Sequence, residues 1–269
     1  MDLELYDKRA LVTGSSAGIG SAIAKRLAEE GASVVVTGRD QRKAEAVAQE
    51  IRNGKKQVIA SMGGVDLSTD DGAAILADKV IGELGGIDIL VNNHGVYFER
   101  GWWNTTPDDW AAIYNENVVS FVRLVQRLGP RMREAGWGRI INISSGGAWQ
   151  PFAAMADYTA TKAAVLNLTV SLSREFADTG VTVNAVSPGI VVTGSTERFF
   201  RNVARVQGWP EEWAEIEKHV ITHFLPNSSG RLGRPADIAN VVALIASPLA
   251  GYINGANYRI DGGSTISIN

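Results

Sequence analysis

The chain has 269 residues, 45% hydrophobic and 20% charged, with a formal net charge of −3 and no cysteine. This balance fits a globular protein and excludes a disulfide scaffold, a broad basic field for nucleic acid and a soft Cys/His metal site. No stretch approaches the roughly 18 unbroken apolar residues of a membrane span, and the start, "MDLELYDKRALVTG", is acidic before it turns apolar, the wrong order for a secretory leader. The expectations are a cytoplasmic protein with no nucleic-acid, membrane or metal partner.

In chain order, short β-branched runs recur: "RALVT" near 9, "SVVVTG" near 33, "QVIAS" near 57, "IDILVNN" near 87, "GRIINISS" near 138, "VTVNAVSPG" near 181 and "NYRIDGG" near 257. Helical periodicity fills the intervals, as at Ile19 to Glu30, Arg42 to Arg52 and Ala163 to Ala177. Strands alternating with helices predict a parallel sheet joined by crossover helices, and strands without polar alternation predict helices on both faces. No linker, composition break or repeat divides the chain, so a single domain over 1–269 is expected. Residues 193–230 mix Trp, Phe and His with charge and contain no strand pattern; they read as a helical flap.

The first strand runs into "TGSSAGIG", Thr13 to Gly20, and directly into a helix. Glycines at such a strand–turn–helix let backbone N–H groups approach a pyrophosphate, beside the positive end of the helix dipole. The end of the second strand, "VVVTGRD", puts Gly38 where an acidic residue would favour NAD and Arg39 where a guanidinium suits the 2′-phosphate of NADP. NADP is therefore expected, with NAD as the alternative. Further on, "ADYTATK" places Tyr158 and Lys162 four residues apart, on one face of a helix.

The TG-x-x-x-G-x-G form resembles the short-chain dehydrogenase/reductase family, and the resemblance extends almost end to end. It includes "NNHG" at Asn92 to Gly95, Asn117 in "YNENVVS", Ser145 in "NISSGG", "YTATK", "PGIVVT" at Pro188 to Thr193 and the "GRP...IA...DGG" pattern from Gly233 to Gly263. The resemblance implies a doubly wound, Rossmann-like three-layer α/β fold with a seven-stranded parallel sheet. It implies an oxidoreductase exchanging a hydride between NADP(H) and a carbonyl or secondary alcohol. Catalysis would rest on Asn117, Ser145, Tyr158 and Lys162: Tyr158 as acid/base, Ser145 on the substrate oxygen, Asn117 holding a relay water.

Cofactor contacts carry over to Gly14, Ser15, Ser16, Gly18, Ile19 and Gly20 in the turn, to Asp66 and Leu67 at the adenine, and to Asn93 and Gly95 after strand four. They continue at Tyr158 and Lys162 and at Pro188, Gly189, Ile190 and Thr193. A phenol titrates near 10, too high for a neutral-pH base. An ammonium about 4 Å away at an effective dielectric of about 20 is worth roughly 4 kcal/mol, so Lys162 is expected to lower the Tyr158 pKa. His94 departs from the small residue usual in this position; a structural role is favoured, because the proton chain is complete without it.

Aromatic residues crowd the expected cleft: Trp102, Trp103, Trp149, Phe152, Phe199, Phe200, Trp209 and Trp213. Trp149, Phe152 and Phe199 are the candidate substrate contacts, for a bulky hydrophobic or aromatic carbonyl or alcohol. Two other readings are a 3-oxoacyl-[acyl-carrier-protein] reductase and a non-catalytic NADP-binding sensor. The family's habit, and a Tyr/Lys helix apolar on more than one face, lead to an expected homotetramer.

Overall fold

The computed structural model describes residues 1–53 and 57–267. All seven expected strands form: β1 Arg9–Val12, β2 Ser33–Gly38, β3 Ile59–Gly63, β4 Ile89–Asn92, β5 Gly138–Ile143, β6 Val181–Pro188 and β7 Asn257–Ile260. They make one sheet in the order β3-β2-β1-β4-β5-β6-β7, and each neighbouring pair is parallel. Nine α-helices accompany them among the described residues: α1 Gly18–Glu29, α2 Gln41–Arg52, α3 Asp70–Leu84, α4 Pro107–Tyr114, α5 Ser120–Glu134, α6 Ala156–Glu175, α7 Gly194–Gln207, α8 Trp213–His223 and α9 Pro235–Ala246.

Alternation along each strand builds two cores. In β1, Ala10 and Val12 join Ile23 and Leu27 of α1, Val47 of α2 and Val242 of α9 on one face. Leu11, pointing the other way, joins Leu76 of α3 and Leu124 and Leu128 of α5. The chain winds from β1 to β3 in one direction, then crosses back to β4 on the other side of β1. Loops from the carboxyl ends of β1 and β4 therefore diverge and leave a crevice between them, where a ligand can enter without breaking strand pairing.

Helix ends are set by local chemistry. Thr69 caps α3, accepting from the Gly72 amide at 3.1 Å, and Gly85 ends it at φ 69°. Thr106 and Asp109 form a reciprocal capping box at α4, followed by Pro107 in the first turn. Helix α6 begins at Ala156, ahead of the Ala163 start that apolar periodicity predicts, so Tyr158 and Lys162 lie within its first two turns. The flap forms as α7 and α8, closed on its own cluster of Phe200, Ala204, Ile216, Val220 and Leu232. Its base is tied by the Val192 amide donating to the Gly233 carbonyl at 2.8 Å. No described helix is long and apolar enough to cross a membrane.

Candidate active site

The glycine turn after β1 is built as the pattern requires. Gly14 and Gly18 take φ values of 62° and 57°, a region glycine enters without strain. Gly20 is constrained by space instead: a Cβ there would lie 2.5 Å from both the Asn93 Nδ2 and the Gly14 carbonyl oxygen. The buried Ser15 hydroxyl donates to the Val12 carbonyl at 2.6 Å and accepts from the Thr37 amide at 2.9 Å, pinning the turn to β2. Ile19 packs under it on the core. No side chain caps the first amides of α1, so they remain available to an anion.

Two loops close on this turn. Thr13 Oγ1 accepts from the amides of Asn93 and His94, each at 2.9 Å, and the Asn93 side chain donates back to the Thr13 carbonyl at 2.8 Å. Beyond β6, the Gly189 amide donates to the Ile260 carbonyl at 3.0 Å. That fixes the path of Pro188, Gly189 and Ile190, and Thr193 reaches Gly18: a Cβ on that glycine would lie 3.3 Å from Thr193 Cγ2. Thr193 also caps α7, accepting from the Thr196 amide at 3.3 Å.

Asn117 lies fully buried in a single π-helical turn, Asn115–Val119, inserted between α4 and α5. Such turns re-aim a side chain and are frequent at functional sites. Its Oδ1 accepts from the Val96 amide at 2.8 Å, and its Nδ2 donates to the Val96 carbonyl at 2.9 Å and to Thr161 Oγ1 at 3.1 Å. The side chain thus clamps the loop after β4. It still borders the crevice, because a Cβ on Gly95 would lie 3.3 Å from both Asn117 Oδ1 and Lys162 Nζ. His94 borders the crevice too and engages Glu116, with Nε2 and Oε2 2.7 Å apart.

Ser145 follows β5 and accepts from the Gly147 amide at 3.1 Å. Lys162 is only 4% exposed; its Nζ donates to the Ile143 carbonyl at 3.0 Å and lies 5.7 Å from the centroid of the Tyr158 ring. Burial lowers the Lys162 pKa from 10.5 to about 8. Burial pushes the Tyr158 phenol above its ordinary value, the Ser145 hydroxyl pulls it down, and Tyr97 pushes it up again. The expected lowering of the phenol by Lys162 is therefore corrected: the ammonium is directed at the Ile143 carbonyl, and desolvation of the phenol dominates.

Two residues escaped the sequence reading here. Tyr97 lies edge-on to Tyr158 with ring centroids 5.9 Å apart. Asp157, 2% exposed, accepts from the Tyr158 amide at 2.8 Å through Oδ1, while its Oδ2 lies 3.5 Å from Arg100 Nη2. A buried acid beside the YTATK tyrosine was the available signal for the second; Tyr97 had none, since it comes from a loop distant in sequence.

At the end of β2, Gly38 has no space for a side chain: a Cβ there would collide with the Ser16 hydroxyl. Ser16, Gly38, exposed Arg39, Gly14, Asn93, His94 and Gly95 line a cavity of about 200 Å³. Asp40 is committed elsewhere, capping α2 by accepting from the Arg42 and Lys43 amides at 2.9 and 3.3 Å. Asp66 is exposed beyond β3; the Ser68 hydroxyl and amide donate to it at 2.6 and 2.9 Å and hold its carboxyl below the usual range. Leu67 puts its side chain into the core, and its carbonyl accepts from Arg123 at 3.3 Å.

The aromatic lining is mostly not realised. Phe152 joins Ser145, Gln150, Ile190, Leu225 and Thr265 around a cavity of about 70 Å³. Trp149 lines a different depression, with Leu166, Val170 and Asn257. Phe199 stacks edge-on against Phe200 at 5.0 Å, and Trp209 and Trp213 pack within the flap, because amphipathic α7 and α8 need a core of their own. Gln150, Leu225, Ser264 and Thr265 were missed: Gln150 follows Ser145 closely, but Leu225 comes from the flap and Ser264 and Thr265 from beyond β7, which pairs with β6. No cluster of metal-ligating side chains occurs among the described residues.

Comparison with known proteins gives a consistent picture. A family model described as short chain dehydrogenase matches residues 8–204. The 3-oxoacyl-[acyl-carrier-protein] reductase of Aquifex aeolicus is 34% identical over 263 residues, covering 98% of this chain and 99% of the relative. The crystal structure of L-sorbose reductase from Gluconobacter frateurii, complexed with NADPH and L-sorbose, superposes with a TM-score of 0.93 at 30% identity, covering 100% of both chains. A 7α-hydroxysteroid dehydrogenase complexed with NADH and 7-oxo glycochenodeoxycholic acid gives 0.86 at 32% identity, covering 100% of this chain and 98% of that one.

Proposed function

The chain belongs to the short-chain dehydrogenase/reductase family and is an NAD(P)-dependent oxidoreductase; on its site geometry we propose that it reduces a carbonyl group at the expense of NADPH. The observation that carries this reading is that Tyr158, whose phenol the Ser145 hydroxyl acts on, shares the first two turns of α6 with a buried Lys162 whose Nζ lies beside Gly95, after β4. The three similar proteins act on a carrier-bound acyl chain, a sugar and a steroid, so the fold leaves the substrate open.

The residues fit a dinucleotide. Gly14, Gly18 and Gly20 keep the turn open to a pyrophosphate, beside the uncapped amides of α1. Thr193, Pro188, Gly189 and Ile190 border the same path, with Asn93 and Gly95 opposite. Arg39 and the Ser16 hydroxyl stand where an adenosine 2′-phosphate would need donors, which favours NADP(H) over NAD(H). Bound there, the cofactor supplies the hydride.

The protein's own residues do the rest. Ser145 holds the substrate oxygen, a hydrogen bond that strengthens as negative charge grows there. Tyr158 donates the proton to that oxygen; its raised pKa keeps the phenol protonated at neutral pH, the state that reduction requires. Lys162, beside Gly95, would hold the cofactor's ribose hydroxyls, and Asn117 fixes the loop that borders both. Phe152, Ile190 and Leu225 give the substrate an apolar wall, and Gln150, Ser264 and Thr265 a hydrogen-bonding one. That mixed, small cavity favours a compact ketone with a polar group near the reacting carbon over the large aromatic one expected from composition. The reading extends to a homotetramer, supported by a groove between α5 and α6 in which Val122, Leu168 and Leu172 are half-buried.

The test is a panel of ketones and alcohols followed by nicotinamide absorbance with NADPH and NADH in parallel. Tyr158→Phe should lose about 10²- to 10⁴-fold in turnover while binding NADPH within about twofold of wild type. Near-normal turnover in that variant would defeat the mechanism.

A further inference from the structure

The adenosine end of the crevice carries a hydrogen-bonded pair that the hydride chemistry does not use. His94 replaces the expected small residue, lines the cavity with Arg39 and Ser16, and holds Glu116 at 2.7 Å. Both side chains are partly buried, at 15% and 29% exposure. The carboxylate comes from the π turn that also carries Asn117, so its backbone is fixed by the same insertion.

Asp66, beyond β3, faces this pair; it is occupied by Ser68 and lies near Arg123 of α5, itself engaged by Asp70 and the Leu67 carbonyl. Arg39 forms no ion pair among the described residues, yet its positive charge reaches Glu116. The hydrogen bond from His94 is the main cause that holds the Glu116 carboxyl below its usual range, with Arg39 adding to it. Glu116 is thus an ionised group within electrostatic reach of the guanidinium, and His94 is its side-chain partner.

We propose that the His94–Glu116 pair determines cofactor selectivity: by engaging Glu116, His94 keeps that carboxylate off Arg39 and leaves the guanidinium for the 2′-phosphate of NADP(H). The inference rests on the assignment of Arg39 to that phosphate. With the imidazole removed, Glu116 loses its partner beside the pocket and is free to turn toward Arg39, a penalty felt by the phosphorylated cofactor and barely by NADH. His94 is in this sense a positioning residue acting through Glu116.

The experiment measures dissociation constants for NADPH and NADH by nicotinamide fluorescence in wild type, His94→Ala, His94→Gln, Glu116→Gln and the His94→Ala/Glu116→Gln double variant. His94→Ala should raise the NADPH constant about tenfold, equivalent to about 1.4 kcal/mol, with NADH within about twofold. The double variant should recover wild-type selectivity, as should His94→Gln, which keeps a donor to the carboxylate. An equal loss for both cofactors in His94→Ala, or a loss that persists in the double variant, would overturn the inference. Wild type binding NADH more tightly than NADPH would instead refute the role given to Arg39, while the change in ratio on His94→Ala still decides the role of the pair.

Discussion

Lys162→Met should make the protein more stable at pH 7 while destroying its activity. The lysine is 4% exposed and burial has moved its pKa from 10.5 to about 8. At about 1.4 kcal/mol per tenfold, keeping it charged in the fold at pH 7 costs about 3 kcal/mol relative to the unfolded chain. Methionine removes that cost but leaves the Ile143 carbonyl without its donor, a loss of about 1 kcal/mol, for a net gain of about 2 kcal/mol. The pH dependence identifies the cause. A base whose folded pKa is lowered binds fewer protons folded than unfolded, so wild-type stability rises between about pH 8 and 10.5. By pH 10 most of the penalty is gone, and the advantage of the variant should shrink by roughly 2.5 kcal/mol. Urea unfolding of both proteins at pH 7 and 10 measures this, at one protein concentration so that any assembly contributes alike. A stability difference that does not change between the two pH values, or a variant less stable than wild type at pH 7, would refute the reasoning.

Two further perturbations follow from the geometry. Arg100→Met leaves Asp157 buried with no cation beside it and should cost about 3 kcal/mol by denaturant titration, with much of that recovered in Arg100→Met/Asp157→Asn; unchanged stability in the single variant would show the carboxylate to be neutral. Gly20→Ala places its methyl 2.5 Å from the Gly14 carbonyl oxygen and should lose about 1 to 3 kcal/mol together with NADPH binding, whereas Gly82→Ala, inside α3 with nothing within 4 Å, should gain about 0.5 to 1 kcal/mol.

Much of this molecule is written in local pattern. The five inner strands are short apolar runs buried on both faces of a parallel sheet, which removes any need for polar alternation, and so they stand out without an alignment, while edge strands β3 and β7 are half-buried over most of their length. The glycine turn is equally legible: left-handed φ at Gly14 and Gly18, and the lack of space for a side chain at Gly20, are backbone requirements that one residue type meets. Tyr158 and Lys162 fall on one helix face because four residues make about one turn.

What surrounds those residues was decided by tertiary packing. The aromatic residues of 193–230 could line a substrate pocket or fill a flap core on composition alone, and the amphipathicity of α7 and α8 settles most of them inside the flap. Trp149 and Phe152, three residues apart, separate onto different surfaces because a 3₁₀ turn at Gly146–Ala148 precedes them and another at Ala153–Met155 follows. The sequence by itself determined the alternating fold, the glycine turn and the shared helix face of Tyr158 and Lys162, since each depends on neighbours within a turn or on a repeated pattern, whereas Ser145 was legible only through the resemblance to the family. Only the tertiary structure decided the charge state of Tyr158 and Lys162 and the partner of His94. Desolvation and contacts across 22 residues, as between His94 and Glu116, are properties of what the chain buries together rather than of any stretch of it.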